Sequence, residues 1–344
     1  MKKHSEFPKI GQYRQVVKEA RDRAAYVGRD ANGDPIYDPS KASPTIKFKG
    51  TVKLHGTNAG VGHTEEDGMW AQSRSNIITP ENDNAGFARY VEENKQAFLE
   101  LIEHVRYVNS DLSPNDGVFI FGEWAGGSIQ KKVAISNIEK SFFIFDVKIV
   151  PEDGSESYHL PSDYLRNKER RIYNIEDFET YEIEIDFNQP EAVQNKLSDI
   201  TIKVEDVCPV AKDFGFEGLG EGVVWAAQVN GHDYRFKVKG EKHSASKVKT
   251  LAKVDIEKLN SINEFVDYAV TENRFEQGLG IVFPDGVLDQ KKTGDIIKWV
   301  VTDVFSEEND TLEENGLEMK DVGKYLSIRV KNMFFSKLNA QVGL

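Results

Sequence analysis

Residues 46–58 read Ile-Lys-Phe-Lys-Gly-Thr-Val-Lys-Leu-His-Gly-Thr-Asn, and apolar and basic side chains alternate as far as Leu54. Such alternation predicts a β-strand with one buried face, which would deliver Lys53 to the end of the strand. Gly56 follows three residues later and would let the chain turn tightly. Lys53 and Gly56 thus form a Lys-x-x-Gly pair, which alone is a weak signal because both residue types are common.

Short apolar or alternating runs separated by turn signals continue through the first 240 residues. Residues 59–72 predict a hairpin with its turn at Glu66-Asp-Gly68, and Asn230-Gly231 is a strong two-residue hairpin signal. Strands joined by hairpins favour antiparallel sheets with flanking helices over a doubly wound parallel sheet, which predicts the α+β class. Further strands are predicted at residues 118–122, 141–150, 181–187, 222–229 and 233–238.

The pattern changes after Gly240, where apolar residues recur at helical spacing. A chain of 344 residues exceeds the usual single-domain size. We therefore predict two domains, residues 1–243 and a smaller all-α domain over residues 244–344. Helices are predicted at residues 84–108, 255–275, 295–305 and 319–338, with a partly helical segment at 7–29.

Composition excludes several classes of protein. No apolar run approaches the roughly 20 residues of a membrane span, and the N-terminus lacks the apolar core of a secretory signal. The single cysteine, Cys208, cannot form an internal disulfide and fits a reducing, cytoplasmic setting. No Cys/His grouping has the spacing of zinc ligands.

The net charge of −13 argues against a protein that coats nucleic acid indiscriminately, although local charge matters more than the total. Positions 235 to 253 contain seven basic residues and a single acidic residue, Glu241. This run is either a solvated face or a strip that faces phosphates. Its members are Arg235, Lys237, Lys239, Lys242, Lys247, Lys249 and Lys253.

A lysine followed by acidic, aromatic and basic partners suits nucleotidyl transfer through a lysyl–AMP intermediate. Lysine attacks phosphorus only as the neutral amine, and an unperturbed lysine, with a pKa of about 10.4, is protonated at neutral pH. Neighbouring cations such as Lys237 and Lys239 would favour the neutral form. The partners follow in order as Arg74, residues 121–126 (FGEWAG), 142–146 (FFIFD), 220–224 (GEGVV) and 236–239 (FKVK).

The string KLHGTN at residues 53–58 closely resembles nucleotidyltransferase motif I of the RNA ligase 2 family, the T4-type RNA ligases. DNA ligases and capping enzymes usually carry aspartate where this chain has His55. Residues 121–131 (FGEWAGGSIQK) look like that family's motif III, and the resemblance spans residues from about 45 to 240. It implies an ATP-grasp-like nucleotidyltransferase domain that uses ATP and Mg²⁺ or Mn²⁺ to seal nicks in RNA repair.

The resemblance also implies a role for each matching residue around the nucleophile. Lys53 would carry AMP, His55 would orient the departing pyrophosphate, and Asn58 would position the acceptor end and the AMP phosphate. Arg74 would contact the nucleotide or the RNA ends. Val52 and Leu54, which flank Lys53, are expected to border the bound nucleotide.

The later motifs supply the remaining roles. Glu123 would accept a hydrogen bond from the ribose hydroxyl. Phe145 would stack on adenine, with Phe143 as the competing stacker. Asp146 and Glu221 would be the metal-side carboxylates, because magnesium prefers oxygen ligands. Lys237 and Lys239 alternate on one strand face and would neutralise the α-phosphate.

The chain departs from the T4 pattern at three places. Ala226 stands where the family has a lysine that helps contact ATP, so either another basic residue substitutes or the first step depends less on that contact. Trp225 stands where a smaller aliphatic residue is common, and it could pack or touch ligand. Residues 30–43 form an insertion without an assigned role.

The expected partner is a nicked duplex of RNA or an RNA-containing hybrid, engaged in part by the C-terminal helices. A monomer in a bacterial or viral cytoplasmic setting is expected. Two alternatives share parts of the same residue set. One is a capping-type guanylyltransferase that uses GTP, and the other is a catalytically silent nucleic-acid-binding relative.

Overall fold

The computed structural model describes residues 2–30, 32–38, 41–159, 164–240 and 258–342. The chain divides into two compact units, Met1–Gly240 and Glu241–Leu344. The strands are β1 (Gly11–Gln12), β2 (Tyr26–Arg29), β3 (Pro35–Tyr37), β4 (Thr45–Lys53), β5 (Thr57–Thr64), β6 (Gly68–Ser73), β7 (Ile77–Ile78), β8 (Gly117–Ala125), β9 (Ser141–Val150), β10 (Ser157–His159), β11 (Ile172–Asn174), β12 (Thr180–Asp186), β13 (Gly222–Val229) and β14 (His232–Lys239). The helices are α1 (Tyr13–Ala25), α2 (Phe87–Glu93), α3 (Lys95–Val108), α4 (Gln194–Asp206), α5 (Pro209–Asp213), α6 (Lys258–Ala269), α7 (Glu272–Val282), α8 (Thr293–Glu314) and α9 (Met319–Val342).

The first sheet of the larger unit has the strand order β1-β14-β13-β4-β12, and all its pairs except β1–β14 are antiparallel. Alternation along β4 turns Ile46, Phe48 and Val52 into one core, where α1 and α4 pack against β14 and β13. Trp225 of β13 lies in the same core and is 0% exposed. Gly50 is required beside it, since a Cβ there would come within 2.8 Å of the indole. Trp225 therefore packs in the core.

The second sheet has the order β10-β9-β8-β5-β6-β7, with β11 paired to β9. Its helix-covered face packs on α2 and α3 through residues such as Val61, Ile120 and Phe142. The pairing of β8 with β9 shifts register between Phe121 and Gly122, which are opposite Asp146 and Ile144. Phe145 is therefore the extra residue of a β-bulge, a feature that commonly re-aims side chains beside functional sites.

The second unit is helical over its described residues 258–342. Helices α6 to α9 share one apolar core that includes Phe265, Val300, Leu326 and Phe334. Arg274 is 8% exposed and donates hydrogen bonds to Asp303 and Glu308 within this unit. Among the described residues, none of the helices has the length and apolar character that a membrane crossing demands.

The predicted α+β class with antiparallel sheets and C-terminal helices is confirmed. The hairpin at residues 59–72 is present as β5 and β6, and β9 and β13 have the predicted bounds. The single helix predicted over 84–108 is wrong, because it is interrupted at Asn94. The Asn94 side chain donates a hydrogen bond to the Tyr90 carbonyl at 2.8 Å, and the backbone leaves helical geometry there.

Candidate active site

Strand register brings Lys53, Glu221 and Lys239 together. Gly222 of β13 pairs with Lys53 on one side and with Lys239 on the other, because β13 lies between β4 and β14. Glu221 precedes Gly222 and is therefore flanked by both lysines. Gly222 has a φ of +151°, and a Cβ there would lie 2.2 Å from the Val238 carbonyl oxygen, so only glycine fits.

Glu221 is the centre of the cluster. Its Oε2 lies 2.7 Å from Lys53 Nζ and 3.5 Å from His55 Nδ1, while its Oε1 lies 3.3 Å from Lys239 Nζ. The Glu221 side chain is 3% exposed, against 22% for Lys53 and 28% for Lys239. The carboxylate is thus a buried acceptor shared by basic groups that remain open to solvent.

Electrostatics keep Glu221 ionised. Burial alone would raise the pKa of Glu221, but the charges of Lys53 and Lys239, together with a hydrogen bond to His55, hold it well below the usual range. Lys53 Nζ donates its hydrogen bond to this carboxylate, so the ion pair must open before the amine can act as a nucleophile.

The turn after Lys53 is fixed by two side chains from the segment that resembles motif III. The Gly56 N–H donates a hydrogen bond to Glu123 Oε1 at 2.8 Å, and the Gly56 carbonyl accepts one from Gln130 Nε2 at 3.1 Å. A Cβ on Gly56 would come within 2.4 Å of the Trp124 carbonyl oxygen. Sequence reasoning missed Gln130, although it lies inside the quoted motif, because nothing in the local pattern shows that its amide reaches back 74 residues.

Glu123 and Asn58 face each other across paired strands, with Asn58 of β5 in register with Glu123 of β8. Directly opposed residues project from the same face of a sheet. Burial raises the pKa of Glu123, an effect that the charge of Lys53 opposes. Arg74 is exposed just beyond β6, whose last residue Ser73 pairs with Ala59, so it lies at the same end of the sheet as Asn58.

The two candidate stacking residues have different surroundings. Phe143 is 0% exposed and contacts the rings of Tyr173 and Phe178 at 5.4 and 5.8 Å between centroids, which makes it a core residue. Phe145 is half-buried, and its ring lies 5.1 Å from that of Phe7. Of the two, Phe145 alone retains accessible surface.

The structure does not bring the two predicted metal-side carboxylates together. Asp146 forms an ion pair with Arg235, whereas Glu221 pairs with Lys53 and Lys239. Arg235 and Lys239 are four positions apart on β14, or about 13 Å at the usual rise of a strand. Burial raises the pKa of Asp146 to about 7 despite the charge of Arg235.

The remaining predicted site residues on β4 and β14, or next to them, differ in whether their side chains lie in the core. Val52 and Leu54 are 3% and 5% exposed with their side chains in the core, so only their backbone could border a nucleotide. Lys237 lies two residues from Lys239 on the same face of β14. Four members of the basic run, at positions 242, 247, 249 and 253, lie outside the described residues.

Acidic and histidine side chains do not form a ready-made metal cage here. Across the described parts of the chain, no group of three His, Cys, Asp or Glu residues is arranged to hold a metal ion. A magnesium ion usually takes only one or two protein carboxylates and completes its shell with phosphates and water. The buried, ionised oxygens of Glu221 are suitable donors of that kind.

Solved structures with a similar fold are distant. Naegleria gruberi RNA ligase in a lysine-to-alanine mutant with ATP and Mn is 16% identical, with a TM-score of 0.42 over 69% of this chain and 58% of that one. The same ligase with PPi is 17% identical, with a TM-score of 0.41 over 69% and 58%. This chain thus spans under three fifths of the length of those structures. No curated protein matches it.

A family model gives the closer relationship. The model described as RNA ligase matches residues 46–239, which is more than half of the chain. The match begins within the strand that ends in Lys53 and finishes at Lys239, so it encloses the whole cluster around Glu221. The chain therefore belongs to the RNA ligase family.

Proposed function

We propose that the chain is an ATP-dependent RNA ligase of the RNA ligase 2 type, which seals 3′-hydroxyl/5′-phosphate nicks through a lysyl–AMP intermediate. One observation carries the proposal. The amine of Lys53 lies 2.7 Å from a buried carboxylate that also pairs with Lys239, at the end of the strand where the Lys-x-x-Gly turn begins. The nucleophile, the charged groups that could neutralise a phosphate and the turn after the nucleophile therefore lie close together.

In the first step Lys53 Nζ bonds to the α-phosphorus of ATP, and the bond from that phosphorus to the bridging oxygen breaks to release pyrophosphate. Lys53 must first leave the Glu221 carboxylate and lose a proton. The cations of Lys237 and Lys239 would offset the charge that develops on the phosphate. Glu221 would hold the divalent metal ion, which would supply neutralisation of the negative charge on the transferring phosphate.

Phe145 supports the base-binding role better than Phe143 does. A base stacks on the open face of an aromatic ring, and Phe145 keeps accessible surface while Phe143 is enclosed by other rings. Glu123 already holds the Gly56 amide through one carboxylate oxygen, which leaves its second oxygen as the acceptor for a ribose hydroxyl. Glu123 would thus link nucleotide binding to the shape of the turn after Lys53.

The later steps transfer AMP to a 5′-phosphate and then join that activated end to a 3′-hydroxyl with release of AMP. Such in-line phosphoryl transfers depend chiefly on positioning and charge neutralisation. A-form shape and 2′-hydroxyls would identify the duplex, with little readout of base edges. The helical unit would serve nick engagement more than self-adenylylation.

Two alternatives stay open to test. A guanylyltransferase would use the same lysine and carboxylates but would label with GTP, and a silent relative would label with neither nucleotide. Incubation with labelled ATP and labelled GTP in separate reactions distinguishes all three. Labelling with GTP alone, or no labelling at all, would contradict the proposal.

Nick sealing defines the substrate. Duplexes that vary the sugar on each side of the nick should be sealed only where the 3′-hydroxyl strand ends in ribonucleotides. Lys53→Ala should seal none of them, whereas Lys47→Ala, which changes a lysine that is 85% exposed on the same strand, should behave like the wild type. Equal sealing of an all-DNA nick would refute the RNA assignment.

A further inference from the structure

We propose that Arg235 is a positioning residue for nucleotide binding, and that its pairing with buried Asp146 sets the distance between the two sheets behind Phe145. The inference rests on the proposed function, because it assigns Phe145 to the nucleotide base. It gives a role to Asp146, the predicted metal-side carboxylate that does not contact the cluster around Glu221.

The Arg235 guanidinium contacts two carboxylates and two aromatic rings, and its Nη2 lies 3.5 Å from Asp233 Oδ2. It donates a hydrogen bond to Asp146 Oδ2, and it lies 5.3 Å from the ring centroid of Phe7 and 5.2 Å from that of Tyr158. Its side chain is 11% exposed, and that of Asp146 is 2% exposed. A guanidinium between two aromatic rings, paired with a buried carboxylate, is held in one orientation by cation–π and charge-assisted contacts.

These contacts connect three separate parts of the larger unit. Arg235 comes from β14 in the first sheet, and Asp146 from β9 in the second. Phe7 belongs to the segment before β1, which is tied to β6 by two hydrogen bonds between Ser5 and Gln72 at 3.2 and 2.6 Å. The ion pair therefore joins the sheets and also secures the N-terminal segment against them.

The pair is next to the groups that the reaction uses. Asp146 directly follows Phe145, and the bulge turns both side chains away from the helix-covered face of their sheet. Arg235 lies two residues before Lys237 on the same strand face. A change in the spacing between Asp146 and Arg235 would therefore alter the spacing between the stacking ring and the phosphate-binding lysines.

Asp146 depends strongly on this one partner. Its Oδ1 is buried and accepts no hydrogen bond from the described residues, so Arg235 alone supplies a side-chain hydrogen bond to the carboxylate. Loss of the guanidinium would leave the Asp146 carboxylate buried and poorly compensated. Water could reach that carboxylate only if the two sheets moved apart. We therefore expect a larger distance between Phe145 and the phosphate-binding lysines, and hence weaker nucleotide binding.

Register places Ala226 next to Arg235. Ala226 of β13 lies directly opposite Arg235 of β14, so the two side chains project from the same face of the sheet. A cation at either position could reach Asp146, and the small side chain at 226 leaves room for the guanidinium.

The test measures lysyl–AMP formation in single turnovers over a range of ATP concentrations. Asp146→Asn and Arg235→Ala should each raise the ATP concentration for half-maximal rate by about tenfold, while the maximal rate at saturating ATP changes by less than about threefold. Because both variants remove the ion pair between Asp146 and Arg235, the double variant should be no worse than Arg235→Ala, which also removes the contact with Asp233. Lys47→Ala, at an exposed position of the same sheet, serves as the matched control.

A charge relocation gives a readout that a general loss of stability would not. Ala226→Lys introduced into Arg235→Ala should restore half-saturation to within about threefold of the wild type, because position 226 lies directly opposite position 235. Unchanged half-saturation in Asp146→Asn, or failure of the relocated lysine to restore it in folded protein, would overturn the inference. If Arg235→Ala does not fold, Asp146→Asn, which keeps the side-chain shape, decides alone.

The proposed function and this inference fail differently. Absence of AMP labelling in the wild type would refute the ligase proposal itself. Labelling of the wild type together with normal half-saturation in Asp146→Asn would refute only the role of the ion pair.

Discussion

Substitution of Phe145 and Phe143 by alanine should separate binding from folding, although the two residues are only two positions apart. Phe143 is 0% exposed among Tyr173, Phe178 and Phe214, with ring centroids 5.4 to 6.4 Å away. Phe145 is half-buried at the bulge, beside Phe7. The first ring belongs to the core, and the second is the proposed platform for adenine.

The two substitutions should change different quantities, the free energy of unfolding for Phe143→Ala and the free energy of ATP binding for Phe145→Ala. Removing a fully buried phenylalanine costs about 3–5 kcal/mol of the free energy of unfolding, which should be the main effect of Phe143→Ala. Removing a base-stacking ring costs about 1–3 kcal/mol of binding free energy, so Phe145→Ala should weaken ATP binding by about 5- to 150-fold. Phe145→Leu keeps apolar volume without a ring face and should resemble Phe145→Ala in binding.

Two measurements check this pair of expectations. Urea unfolding reports stability, and calorimetric titration with an ATP analogue that has a methylene group between the α- and β-phosphates reports binding without transfer. Wild-type affinity in Phe145→Ala would refute the stacking assignment. Weakened binding with unchanged stability in Phe143→Ala would transfer that assignment to Phe143.

Three further expectations follow from the cluster and the domain division. Glu221→Gln should reduce lysyl–AMP formation at least about 100-fold, and it should lower the unfolding free energy at neutral pH by about 1.5–3 kcal/mol because it removes the charge-assisted contacts of Glu221 with Lys53 and Lys239. The folded-state pKa of Glu221 is lowered, so the stabilisation that ionised Glu221 provides is present above its ordinary pKa of 4.5 and is lost as the pH falls through the folded-state pKa. The urea midpoints of the wild type and the variant should therefore converge in acid. A difference that stays constant with pH would contradict this. Gly56→Ala should lower both the melting temperature and AMP labelling, because its Cβ would lie 2.4 Å from a backbone oxygen; normal labelling would show that the turn is free to move. A truncation after Gly240 should retain ATP labelling and lose nick sealing, and loss of labelling would assign the helical unit to the first step.

Local patterns were sufficient to predict eight strands and their antiparallel pairing, namely β4, β5, β6, β8, β9, β12, β13 and β14. Alternation in β4 and the Asn230-Gly231 turn depend on neighbouring residues only, so they can be read without knowledge of the fold. Helix α4 (Gln194–Asp206) was missed because its buried positions include the polar residues Thr201 and Glu205. The hairpin of β2 and β3 was missed because its strands are only four and three residues long, too short to show an alternating pattern.

The composition of the candidate site could be predicted, but its long-range contacts could not. Motif order pointed to Lys53, Glu221 and Lys239, and strand register then brought them together. The pairing of Asp146 with Arg235, which are 89 positions apart, depends on a bulge and on how two sheets face each other. Neither feature has a signature in the local sequence, so the sequence could not predict that Asp146 pairs with Arg235.

The attachment of AMP to Lys53 tests the central claim most directly. Purified protein incubated with ATP and magnesium should gain the mass of one AMP group, and peptide mapping should locate it on the peptide that contains Lys53. Lys53→Met should gain no mass and should join no strands. A Lys53→Met protein that still seals a nick when supplied with ATP and magnesium, or AMP found on another residue, would contradict the account.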